Sequence, residues 1–138
     1  MDPLILAEKI ESLRRCIKRI EDKKPESVDL LMQNLDLQDI LVLNLTRAVQ
    51  LSVDIGSHII SNTNELAPQT MGDVFTTLNK LGVITAETCQ QLKKAVGFRN
   101  VAVHNYETIN WIIVDAICKN SLADFRQFSQ EVSRYALL

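Results

Sequence analysis

Glycine, proline and aromatic side chains are scarce in this chain: its 138 residues include four glycines, three prolines and 5% aromatics. Sparse turn chemistry excludes a sandwich or barrel of many short strands and favours a few long elements. No apolar run approaches the ~18 residues that a membrane span needs. Neither sign of charge dominates, since 15 Lys and Arg face 17 Asp and Glu for a formal −2. The basic signature of a chain built around nucleic-acid phosphates is therefore missing, and any RNA contact must rest on a local patch. The three cysteines, Cys16, Cys89 and Cys118, are odd in number and lack a C-x-x-C spacing. That excludes a disulfide framework and predicts free, buried thiols in a reducing compartment. No cysteine lies near a histidine in sequence, which argues against a thiol nucleophile. The acidic opening Met1-Asp2-Pro3 lacks a basic leader region, so a cytoplasmic location is expected. Only two histidines occur, with no H-E-x-x-H or clustered Cys/His spacing and no glycine-rich phosphate loop. No metal and no cofactor is called for.

What is present is helical periodicity. The length predicts one domain, residues 1–138, able to bury roughly two-thirds of its unfolded surface. Asp2 and Pro3 form a helix-start pair. Leu6, Ile10, Leu13, Ile17 and Ile20 then recur at steps of four and three, a bundle seam that ends at Lys24-Pro25. A second helical region is predicted from about Val28 to Ile60, with an irregularity near Asn34 to Leu37. Leu41, Leu45, Ala48, Val49, Ser52, Ile55 and Ile59 share one face of it. Asn62-Thr63-Asn64 reads as a turn. A third helix follows Pro68 and closes at Leu81-Gly82. Thr85 caps a short fourth helix that Gly97 is expected to interrupt. A last helix is predicted from Thr108 to the C-terminus, carrying Ile112, Ile113, Ala116, Ile117, Phe125, Phe128 and Val132. The expected fold is an all-α, antiparallel up-and-down bundle of about five helices.

The stretch from Gly97 to Tyr106 concentrates Arg99, Asn100, His104 and Tyr106. On one ideal helix Arg99 and His104 stand ~140° apart and do not converge on one ligand. Convergence requires a helix-to-loop transition or a second copy of the chain. A helix junction with ordinary capping and ion pairing remains the other reading. A second constellation, Arg47, Gln50, Asp54 and His58, falls on one face of the long helix. It is either a solvated stripe, with Asp54 pairing to His58, or a cleft wall on which Asp54 orients His104 or Arg99.

Arg99-x4-His104-x-Tyr106, led by Gly97-Phe98 and Asn100, resembles the R-x4-H-x-Y motif of HEPN-domain toxins of the HepT type. Gln38-Asp39, Asn44-Leu45, Ala48, Gln50, Asp54 and His58 resemble that family's long helix. Phe75, Leu78 to Ile84 and Leu92 resemble the approach to its motif. The resemblance covers about residues 37–110. It implies a HEPN-like bundle acting as a homodimeric, metal-independent endoribonuclease of a toxin–antitoxin pair. It also implies an MntA-type nucleotidyltransferase antitoxin as partner. Arg99 and His104 become the expected catalytic pair, with Asn100, Asp54 and Arg47 supporting or binding phosphate. Tyr106 becomes the expected site of AMP modification by the partner. The chemistry is coherent, since RNA brings its own 2′-OH nucleophile, an imidazole moves protons near neutral pH, and a guanidinium grips the scissile phosphate. The alternative is a non-catalytic helical module that binds a nucleotide or a nucleotidyltransferase.

Overall fold

The computed structural model describes residues 2–138. Helix α1 (Pro3–Lys23) opens as its sequence demands, with the Asp2 carboxylate accepting from the N–H groups of Leu4 and Ile5. Its buried seam of Leu6, Leu13, Ile17 and Ile20 lies along the longest helix. The predicted irregularity in the second region is a complete break. Helix α2 (Val28–Gln33) stops at Asn34, whose side chain accepts from the Leu37 N–H and caps α3 (Leu35–Ile60). All seven residues expected on the inner face of α3 are buried.

Helix α4 (Met71–Lys80) is capped by Thr70 and ends before Gly82, whose φ of +78° suits a residue without Cβ. It crosses α3 at Gly56, where a Cβ would meet Val74 Cγ1 at 2.5 Å and Leu78 Cδ1 at 2.9 Å. Glycine is there because two helices need the space. Thr85 caps α5 (Ala86–His104) through the Thr88 N–H. The buried Glu131 carboxylate reinforces that start, accepting from Thr85 N at 2.6 Å and from Thr88 Oγ1 at 2.5 Å. A 3₁₀ turn (Tyr106–Thr108) leads into α6 (Trp111–Asn120) and α7 (Leu122–Ala136). The core joins all of these, and no strand occurs among the described residues.

The class is the expected all-α bundle, with three corrections. Seven α-helices among the described residues replace about five. Gly97 does not interrupt the fourth helix, because α5 runs unbroken from Ala86 to His104. A single glycine costs a helix about 1 kcal/mol without removing its backbone hydrogen bonds, so the helix survives. The last helix does not begin at Thr108; Asn110 caps α6 by accepting from the Ile112 N–H, and Ser121 separates α6 from α7. Ile112, Ile113 and Ala116 face outward, while Phe125, Phe128 and Val132 are buried. The cysteines are free: Cys89 and Cys118 are buried and Cys16 is half-buried. Burial, then the Asp115 carboxylate, pushes the Cys118 thiol up to about 11. Burial also raises Cys16. Neither is an activated nucleophile.

Candidate functional site

The distinctive residues occupy the last turns of α5 and the 3₁₀ turn after it. Leu92, Val96 and Ala102 bury one side of α5. Arg99 stands seven residues after Leu92, two turns along the same side, and is half-buried. Its Nη1 donates to Asn100 Oδ1 at 3.3 Å, and among the described residues no carboxylate lies within ion-pairing distance of it. His104 is the final residue of α5 and is exposed. Because α5 continues through the motif, the helix-to-loop route to convergence is gone. One copy of the chain carries a guanidinium with no carboxylate partner and an exposed imidazole on well-separated sides of one helix, among the described residues.

The backbone departs at Asn105, with φ −153° and ψ 57°. That departure swings Tyr106 back toward α3. Its hydroxyl donates to Asp39 Oδ1 at 2.6 Å, and its ring meets Trp111 edge-on with centroids 6.1 Å apart. Burial, followed by the Asp39 bond and charge, pushes the phenol up to about 12. Asp39 lies in the second turn of α3 and is itself exposed.

The stripe on α3 makes bonds of its own. Gln50 Nε2 donates to Asp54 Oδ1 at 2.9 Å, and no bond joins Asp54 to His58, Arg99 or His104 among the described residues. His58 Nε2 instead accepts from the Asp2 N–H at 3.3 Å, fastening the start of α1. Arg47 is exposed and close enough to Cys16 to lower its thiol, which places it against α1. Among the described residues no hydrogen bond or ion pair joins Arg47 or Asp54 to the motif. Asp39 is the neighbour that local spacing missed. It stands 67 residues from Tyr106, and only the packing of α3 brings the two together.

Beside the motif runs an apolar groove of about 540 Å³, walled by Gly97, Phe98, Val101, Ile109, Ile113 and Phe125 among others. Gly97 has no heavy atom within 4 Å of a Cβ position, so nothing inside the chain explains a glycine there. No three His, Cys, Asp or Glu side chains are grouped to hold a metal among the described residues. No helix is long and apolar enough to cross a membrane.

Residues 11–132 match the family described as ribonuclease HepT-like. The chain is 39% identical to the mRNA nuclease HepT of Shewanella oneidensis over 124 residues, 90% of this chain and 92% of that one. It is 23% identical to the tRNA nuclease HepT of Aphanizomenon flos-aquae, covering 99% of this chain and 93% of that one. Its fold superposes with TM-score 0.89 on the tri-AMPylated Shewanella oneidensis HEPN toxin in complex with MNT antitoxin. That match has 36% identity and covers 97% of this chain and 99% of the other.

Proposed function

The chain belongs to the HepT-like ribonuclease family, and from that premise we propose that it is a metal-independent endoribonuclease toxin. Its site is composed from two copies of the chain, and its antitoxin is a nucleotidyltransferase that modifies Tyr106. The observation carrying this reading is the pair of unneutralised groups, Arg99 and His104, at the exposed end of α5. An arginine with no carboxylate partner is held ready for an anion, and its fork matches a phosphate. An imidazole with no partner is ready to move a proton.

The reaction follows from those groups. An imidazole takes the proton of the 2′-OH, whose oxygen attacks the adjacent phosphorus, and the 5′-oxygen of the next nucleotide leaves with a proton supplied by a second acid. Arg99 stabilises the extra negative charge of the transition state. One chain offers one motif histidine, on a different side of α5 from Arg99. A two-fold axis through the cleft supplies two of each around a single phosphate. The apolar groove, the exposed Val101 and Ile113, and the otherwise unexplained Gly97 support a second α5 packing against the first. The purpose of Tyr106 follows from its place beside His104. A nucleotidyl group there brings a bulky anion to where the RNA backbone must lie, and it competes for Arg99. The likeness to a toxin carrying such a modification supports this control.

The test is RNA cleavage by the purified protein in EDTA. The parent is expected to cut. Arg99→Ala and His104→Ala are expected to lose at least 10²-fold, about what a general acid–base or oxyanion donor contributes. Parental cleavage by His104→Ala, or activity that vanishes in EDTA and returns with Mg²⁺, refutes the mechanism.

A further inference from the structure

Tyr106 makes its single side-chain hydrogen bond to Asp39, a residue with no part in the ribonuclease chemistry described above. We propose that Asp39 is the proton acceptor for modification of Tyr106, orienting the phenol oxygen and taking its proton as that oxygen bonds to the α-phosphorus of a nucleoside triphosphate held by the partner. The inference rests on the reading that the partner modifies Tyr106.

A phenol attacking phosphorus must be aimed and must shed its proton. Both needs are met here by one carboxylate. At 2.6 Å the hydroxyl donates to Asp39 Oδ1, which orients its proton toward that carboxylate and leaves oxygen lone pairs available for attack. The edge contact with Trp111 holds the ring. The phenol resists ionising before the reaction, being raised to about 12, so its proton must leave during bond formation and toward a base already in place. Asp39 is that base, and its exposure lets the proton pass on to water. The step balances. The phenol oxygen forms a bond to the α-phosphorus, the bond from that phosphorus to the bridging oxygen breaks, and pyrophosphate departs with the electron pair while Asp39 receives the proton.

The product cannot restore the starting contact. Its aryl oxygen has no hydrogen to donate, and the new phosphodiester is an anion beside the Asp39 carboxylate. Modification therefore breaks the tie to α3 and drives the nucleotidyl group off it.

The experiment incubates the toxin with its proposed nucleotidyltransferase partner and with ATP labelled at the α-phosphate, and locates the label by peptide mass spectrometry. Asp39→Asn keeps an acceptor oxygen for the hydroxyl but has no useful basicity, Asp39→Ala removes both, and Asp39→Glu restores a base. The expected result is label on Tyr106 of the parent. Asp39→Asn and Asp39→Ala should fall in kcat by about 10²-fold, the contribution of a positioned general base. Their KM for the partner should be unchanged, both should stay folded at the assay temperature despite losing the Tyr106 contact, and Asp39→Glu should recover part of the rate. Parental kcat in both Asp39→Asn and Asp39→Ala overturns the role of Asp39 and leaves the modification reading standing. So does a change confined to KM, which makes Asp39 a docking contact. Label absent from Tyr106 of the parent, or equal in Tyr106→Phe, overturns both together.

Discussion

At the scale of single residues, Tyr106 and Asp39 make a contact that separate inspection of each would not reveal. The phenol, an ordinary tyrosine at 10 when unfolded, is held up to about 12 in the folded chain, first by burial and then by Asp39. A raised folded value means that the native state holds this proton more tightly than the unfolded state does. The resulting stability is fully present below pH 10 and is lost as pH climbs through about 12. Parent protein is accordingly expected to lose more thermal stability across that interval than Tyr106→Phe. The difference in phenolate absorbance between those two proteins should place the Tyr106 midpoint near 12, and Asp39→Asn should move it down toward 10. A Tyr106 midpoint of 10 in the parent contradicts the hydrogen bond. The motif itself was readable from sequence, because Arg99, His104 and Tyr106 lie within eight residues. Asp39 was visible only as part of a family likeness, since a contact across 67 residues leaves no local spacing to detect.

At the scale of elements, periodicity and caps carried most of the information. The seams of α1 and α3, the Asp2 cap and the Thr85 cap are each fixed by side chains within one or two turns, and each appeared as predicted. Errors arose where a distant element decides. A glycine was expected to stop α5 at residue 97, yet the helix is anchored at its start by Glu131 from α7 and by buried Leu92, Val96 and Ala102 along its length. Such tertiary support outweighs one residue's propensity. The single last helix expected from Thr108 is instead divided at Ser121 into α6 and α7, and Ile112 and Ile113 face out from α6. Two substitutions test these packing arguments. Gly56→Ala is expected to destabilise the fold by about 1–3 kcal/mol, as overpacking does, despite alanine's better helix propensity, because Val74 and Leu78 occupy the added methyl's place. Glu131→Ala is expected to cost a similar ~1–3 kcal/mol by stranding the Thr85 N–H and the Thr88 hydroxyl. Chemical denaturation reads both, and a stabilised Gly56→Ala would mean that α3 and α4 sit farther apart than described.

At the scale of the whole molecule, Gly97 and the separation of Arg99 from His104 raise the same question, and the proposed second copy would answer both. A mid-helix glycine over open space costs the isolated chain about 1 kcal/mol relative to alanine and gains it nothing. If another α5 approaches there, a methyl group is excluded by the neighbour. Gly97→Ala is then expected to weaken association in sedimentation or light scattering, while an isolated-chain role predicts only added stability. The sharper test separates a shared site from two independent ones. Arg99→Ala and His104→Ala are each expected to be inert alone. Unfolded together and refolded, they should distribute so that about half of the dimers are mixed. A mixed dimer carries one intact Arg99 and one intact His104, on different copies. If the phosphate is gripped across the two-fold axis, that pair faces one substrate and cleavage returns, below half the parental rate because the second histidine is missing. If each chain works with its own arginine and histidine, every site in the mixture lacks one of them and the mixture stays as inactive as its components. Recovery thus requires the composite arrangement, and an inert mixture in which mixed dimers are shown to have formed rules it out.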